Sequence, residues 1–316
     1  MSTYVLPAIF AAFLWWLSTG VIVYLDHLPR WTFGWSLLGA SGLAIAAIWG
    51  LVVSAGDNSL VGAYCGFACA LFVWAWVELS FYSGWVTGIH NRPCPPGRGG
   101  WERFRRALAA NFYHELAIVV LGAAVVAATW GATNRVGLWT FVLLAVMHES
   151  ARLNVLLGVG NFDDSLLPDH LRFMRSFIAC RPINLLFPVS VTGGTVLAGR
   201  LIERAASAPS NGIAAAMTFL ATMTVLAVLE HWVLVLPLPS TGPWQWGLRG
   251  QGAASEPETA TETASATATA TDDPVEGGNV VLHPARRARQ GARNSLASFD
   301  LSKTRSAANA KNVRRG

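Results

Sequence analysis

Apolar residues run along this chain in unbroken stretches rather than in the alternation of a half-buried strand. The stretches cover residues 4–25, 31–53, 59–81, 109–130, 136–157, 184–201 and 212–236. A helix needs about 20 apolar residues to cross the hydrocarbon core of a bilayer, and these runs have that length. Between them stand turn-forming or polar segments: Asp26-His27-Leu28-Pro29-Arg30, Gly56-Asp57-Asn58, a long Pro/Gly/Arg loop over 88–106, Gly131 to Arg135, a loop over 158–183, and Ala205 to Asn211. The sixth run is the shortest and carries Pro188 near its start; its Gly193-Gly194 pair reads as a point of close helix packing. Tryptophans 31, 35, 49, 85, 101, 130, 139, 244 and 246 fall near run ends, where interfacial belts form. The pattern predicts an all-α, polytopic membrane helix bundle of about seven transmembrane helices over residues 1–246.

Composition agrees. The chain is 53% hydrophobic and 13% charged, against roughly 25% charged in an ordinary soluble domain. Positive charge follows the runs: Arg30 after the first, Arg92, Arg98, Arg103, Arg105 and Arg106 after the third, and Arg172, Arg175 and Arg181 after the fifth. Those loops are expected in the cytoplasm, which sets the N-terminus in the periplasm and the C-terminus inside. The net charge of +5 is thereby explained by topology and anionic lipid, and a nucleic-acid partner is not expected. Four scattered cysteines make no disulfide or zinc framework; Cys65 and Cys69 share a helix face as small apolar residues, and Cys94 and Cys180 have no C-x-x-C partner. The start is apolar from Tyr4, without a basic region or a small-residue cleavage site, so the first helix is expected to be retained.

From 247 to 316 the character changes. Ala/Thr/Glu repeats over 253–271 precede a basic stretch from Arg286 to Arg315. Such a segment cannot bury enough apolar surface to offset its ordering entropy, and a disordered cytoplasmic tail is expected. It reads equally as a solvated tether and as a contact for anionic lipid or a partner.

Candidate chemistry lies inside the runs: Glu78, His114 with Glu115, His148 with Glu149, Arg152, Asn154, and Glu230 with His231. A charged group at mid-bilayer costs roughly 2.5–3.5 kcal/mol on insertion scales, so these should face the interior and pair. With the alternating helix directions and about 1.5 Å rise per residue, all of them fall toward the cytoplasmic side. Adjacent residues point about 100° apart, so a neighbouring His and Glu cannot both face one point squarely. Three readings fit: a structural polar network, a metal site favouring iron or manganese over zinc because no thiolate joins the set, and axial ligation of a tetrapyrrole by a histidine. H-E-x-x-H, G-x-S-x-G and phosphate-loop signatures are absent. His27, His90 and His170 sit in loops and read as interfacial or solvated.

Several segments resemble one family. They are Pro7-Ala8-Ile9-Phe10, Trp15-Trp16-Leu17-Ser18-Thr19-Gly20, Trp74-Ala75-Trp76-Val77-Glu78-Leu79-Ser80-Phe81, Tyr113-His114-Glu115-Leu116, Gly137-Leu138-Trp139-Thr140-Phe141, Ala151-Arg152-Leu153-Asn154, Asn184-Leu185-Leu186-Phe187-Pro188-Val189-Ser190 and Leu229-Glu230-His231-Trp232. Together these resemble the photosynthetic complex assembly proteins of purple bacteria, the PuhE family, over roughly residues 1–240. The resemblance implies a role in building the reaction centre and core light-harvesting antenna in the inner or intracytoplasmic membrane. Reaction centre and antenna subunits, or other assembly factors, would be the partners. It assigns no catalytic residue and does not extend to the tail. A non-enzymatic assembly factor handling bacteriochlorophyll is the expectation. The alternative is a membrane metalloenzyme of the non-haem iron type acting on a lipid-soluble pigment or quinone precursor, which Glu78, Glu115, Glu149, Glu230 and three histidines would serve, though without the usual Glu-x-x-His spacing. A transporter would show an internal repeat, and none is present.

Overall fold

The computed structural model describes residues 2–89, 92–95, 100–161, 167–179 and 181–236. His90, Arg98, Cys180, Trp244, Trp246 and the whole tail over 247–316 lie outside the described residues. Eight α-helices follow in order: α1 Ser2–Asp26, α2 Phe33–Ser54, α3 Leu60–Tyr82, α4 Gly100–Ala110, α5 Phe112–Ala128, α6 Val136–Leu157, α7 Leu186–Ala206 and α8 Asn211–Val233. Short 3-10 segments span Arg30–Thr32 and Asp169–Phe177. Among the described residues, five helices are long and apolar enough to cross a membrane, or six when the bent pair α4 and α5 counts as one span. α7 has comparable length, but Arg200, Glu203 and Arg204 in its second half keep it outside that set.

α3 and α8 form the enclosed centre, and α1, α2, α5, α6 and α7 surround them. Phe67 of α3 stacks on Phe219 of α8 with ring centroids 4.5 Å apart, and Phe10 of α1 and Tyr64 close over the pair. A second cluster joins α2, α3, α5 and α6 through Leu51, Val73, Trp74, Val77, Ile118, Val125 and Phe141. Small residues set the closest approaches, as lipid-embedded bundles require. A Cβ on Gly194 would stand 2.6 Å from the Val228 side chain, so this glycine carries the α7–α8 contact, whereas its neighbour Gly193 faces open space.

The connections gather at two ends. At one, Asn134 donates from Nδ2 to the carbonyls of Ser54 (3.1 Å) and Gly62 (2.9 Å) and accepts the Val136 N–H (3.1 Å), tying α2, α3 and α6 together. Ser59 and Ser210 cap α3 and α8 there, and hydrogen bonds from the Ser59 hydroxyl and from its N–H (2.8 Å) hold the Asp57 carboxyl below the ordinary range. At the other end, Asn184 donates to the carbonyls of Asn154 (3.1 Å) and Gly158 (2.9 Å) while accepting the first N–H groups of α7. Asn161 donates to the Val233 and Leu236 carbonyls. His170 packs over Gly84, whose φ of +82° suits glycine, and burial lowers its imidazole pKa below the ordinary value.

The segment read from sequence as a long loop over 88–106 holds a helix in its second half. α4 is amphipathic: Ala107 and Ala110 pack on Phe177 of the 3-10 segment, while Trp101 and Arg105 are exposed. Its charge hides it from an apolar-run reading, because a surface helix needs only one apolar face. α5 leaves it at 53°, after a break at Asn111.

Interhelical hydrogen bonds in membrane proteins contribute about 0.6 to 1.7 kcal/mol each. Asn134→Ala should therefore reduce stability by about 1–3 kcal/mol, visible as a lower melting temperature in detergent; an unchanged melting curve would contradict the stapling role.

Candidate functional site

The loop after α3 covers the start of α5. A Cβ on Gly88 would stand 2.2 Å from the Ala110 backbone, so the chain passes there only as glycine. Ile89 N–H donates to the Ala109 carbonyl (2.9 Å) and His114 N–H to the Thr87 carbonyl (3.0 Å). His114 is thereby fixed in the first turn of α5 and buried at 1% exposure.

The nine residues singled out from the sequence divide into three bonded groups and one wall residue. In the first, His114 Nε2 and His148 Nε2 lie 3.2 Å apart, and His148 Nδ1 lies 3.2 Å from Glu78 Oε1. The Phe81 ring rests on His114 (4.5 Å) and Trp74 sets its edge to His148 (5.4 Å). In the second, Arg152 reaches Glu115 at 2.8 Å and also pairs with Glu149. The neighbours in each His-Glu pair thus turn apart: the two histidines meet each other and the two glutamates meet one arginine. In the third, His231 Nδ1–H donates to the Ala227 carbonyl (2.7 Å), and its Nε2 lies 2.9 Å from the Ser150 hydroxyl oxygen. Ser150 and Ser190 hydroxyls lie 2.8 Å apart, and Asn154 Nδ2 donates to Ser190 Oγ (3.0 Å) and the Ser150 carbonyl (2.8 Å). Both nitrogens of His231 have hydrogen-bond partners.

Glu230 belongs to the wall of a cavity of about 310 Å³ between α1, α3, α6 and α8. One part of the wall carries the ionisable groups Asp26, Glu78, Tyr82, His148 and Glu230; apart from Ser18 and Thr19 the rest is apolar, with Trp15, Ile22, Leu71, Trp74, Leu143 and Met147 prominent. No lysine or arginine is among the described lining residues. Asp26 was read from sequence as part of a turn. It is the last residue of α1, 5% exposed, and its Oδ1 has no hydrogen-bond partner. An acid at the end of an apolar run is the signal that would have found it. Ser150 and Ser190 carry no such signal, since serine is common on helix interfaces. Of the histidines, His148 is on the described wall and His114 is not, and the nitrogens of His148 face Glu78 and His114.

Residues 1–255 match the model of a family described as a protein of unknown function, DUF3623. The chain belongs to that family. It is also similar to an uncharacterized 30.4 kDa protein in the puhA 5′ region of Rhodobacter capsulatus, with 38% identity over 247 residues, covering 77% of this chain and 90% of that one. No solved structure matches. The matched region of this DUF3623 member contains every residue of the three groups and the cavity.

Breaking a buried ion pair by removing one partner is strongly destabilising, because the other charge stays behind. Arg152→Ala should sharply reduce the yield of monodisperse protein from membranes, and adding Glu115→Gln with Glu149→Gln should restore most of it. Size-exclusion profiles in detergent check this, and equal yields for wild type and Arg152→Ala would refute the clamp.

Proposed function

We propose that the protein is a membrane assembly factor for the photosynthetic reaction centre and its core light-harvesting complex, holding a pigment or pigment precursor without turning it over. The observation that carries the reading is the similarity to the protein in the puhA 5′ region of Rhodobacter capsulatus. The segments that resemble the PuhE proteins support it, as does the bilayer environment that the apolar helices require.

The cavity supports the pigment part. Its volume of about 310 Å³ is at the lower end of the ligand-pocket range, about 300–1,000 Å³. That is too small for a bacteriochlorophyll macrocycle with its tail but suited to a length of isoprenoid chain or the edge of a ring. In this reading the apolar wall takes the hydrophobic part of the molecule and the acid-lined part takes a hydrogen-bond donor. The bacteriochlorophyll contact runs through packing rather than axial ligation by His114, His148 or His231. The protein sits in the inner or intracytoplasmic membrane with its N-terminus periplasmic and its C-terminus cytoplasmic. α4 and the 3-10 segment, with exposed Arg105 and Arg172, then lie on the cytoplasmic leaflet, as the positive-inside rule favours.

Two experiments test the reading. Protein purified gently from a bacteriochlorophyll-making host should carry a pigment absorption band that weakens several-fold in Ala75→Phe and Ala151→Phe, whose side chains would fill the cavity. Pigment-free wild type together with normal complex assembly in those strains would overturn it. For topology, a maleimide that cannot cross membranes should label Asp57→Cys in periplasm-accessible cells and Arg105→Cys only after the membrane is opened; the reverse pattern would invert the orientation.

A further inference from the structure

We propose that Glu78, His114 and His148 bind one divalent first-row transition-metal ion, with the remaining coordination positions turned toward the cavity. One ligand atom from each residue lies within 4.8 Å of the other two. Bonds of about 2.0–2.2 Å to a common ion place neighbouring ligand atoms about 3.3 Å apart in tetrahedral geometry. The separation of His114 Nε2 from His148 Nε2, 3.2 Å, already matches that spacing. Glu78 Oε1 lies 3.2 Å from the other nitrogen of the same ring, Nδ1, so one ion takes a single nitrogen of His148 and the set closes by rotation of the imidazole and the glutamate.

The surroundings favour a cation at this point. Two imidazole nitrogens facing each other can share only one proton, whereas a metal ion uses the lone pairs of both. Asp26 and Glu230 add carboxylates on the same cavity wall, and the one nearby guanidinium, Arg152, is committed to Glu115 and Glu149. That commitment also fixes the nuclearity. With two of the four intramembrane glutamates tied to arginine and His231 tied to Ser150 and Ala227, ligands for a second ion are not present in this cluster. Two histidines and one carboxylate with open positions suit iron(II), manganese(II) or zinc(II) and disfavour copper(I), which prefers sulfur. Glu78 and His148 both line the cavity, so water or an oxygen atom of a cavity-bound molecule completes the shell. The inference is independent of the assembly reading, since it concerns this chain's own donors and is read without pigment.

The test is cobalt(II) titration of the full chain, purified without a polyhistidine tag and stripped with chelator. We expect one equivalent to bind with visible ligand-field bands, to raise the melting temperature, and to be reversed by chelator. Glu78→Gln, His114→Gln and His148→Gln should each weaken binding at least tenfold, while His27→Gln leaves it within about twofold. The thermal shift of the wild-type chain supplies the answer even where a variant fails to fold. No shift and no bands with the wild type, or equal binding by the three ligand variants, would overturn the proposal and leave the histidines as a hydrogen-bonded pair.

Discussion

A guanidinium held between two carboxylates governs the interior of this bundle. Arg152 joins Glu115 of α5 to Glu149 of α6, and each glutamate is the sequence neighbour of a histidine. Because neighbours on a helix point about 100° apart, fixing the glutamates on one side of the α5–α6 contact fixes the histidines on the other. The 3.2 Å approach of His114 to His148 therefore depends on an ion pair to which neither imidazole contributes.

Water cannot reach an orphan donor in a bilayer, so each polar group has to be answered from within the protein. The chain meets this differently at its ends and in its middle. At the ends, Asn134, Asn161 and Asn184 supply two donors apiece to backbone carbonyls in or beside the first and last turns of helices. In the middle, the polar set is divided among an ion-pair clamp, a hydroxyl-histidine chain and the Glu78 group, and only the last borders the cavity along with Asp26 and Glu230.

The all-helical membrane character and the long apolar helices were legible because length and apolarity are local properties of a sequence. Among the described residues, however, five or six helices, rather than about seven, are long and apolar enough to span. α4 was not legible, since the charges that make it a surface helix also make it look like a loop. The polar residues of the interior were equally legible, charge in a lipid-spanning run being costly enough to stand out. Their partition was not: that Arg152 takes two glutamates while His231 takes Ser150 depends on how three helices face one another. Asn134 and Asn184 escaped notice because an asparagine beside a turn is ordinary in sequence, and only the distant carbonyls of Ser54, Gly62, Asn154 and Gly158 reveal the crosslinks.

The break at Asn111 gives the buried histidine an address on the water side. α4 ends at Ala110, α5 begins at Phe112, and His114 follows within one turn, its backbone held by Thr87 and the strand of chain threaded through Gly88. The bend acts as a lever of very short arm, with the amphipathic surface helix on one side of the pivot and the imidazole on the other. A displacement of α4 would thus be passed to a buried histidine of the bundle without any of the long apolar helices having to slide.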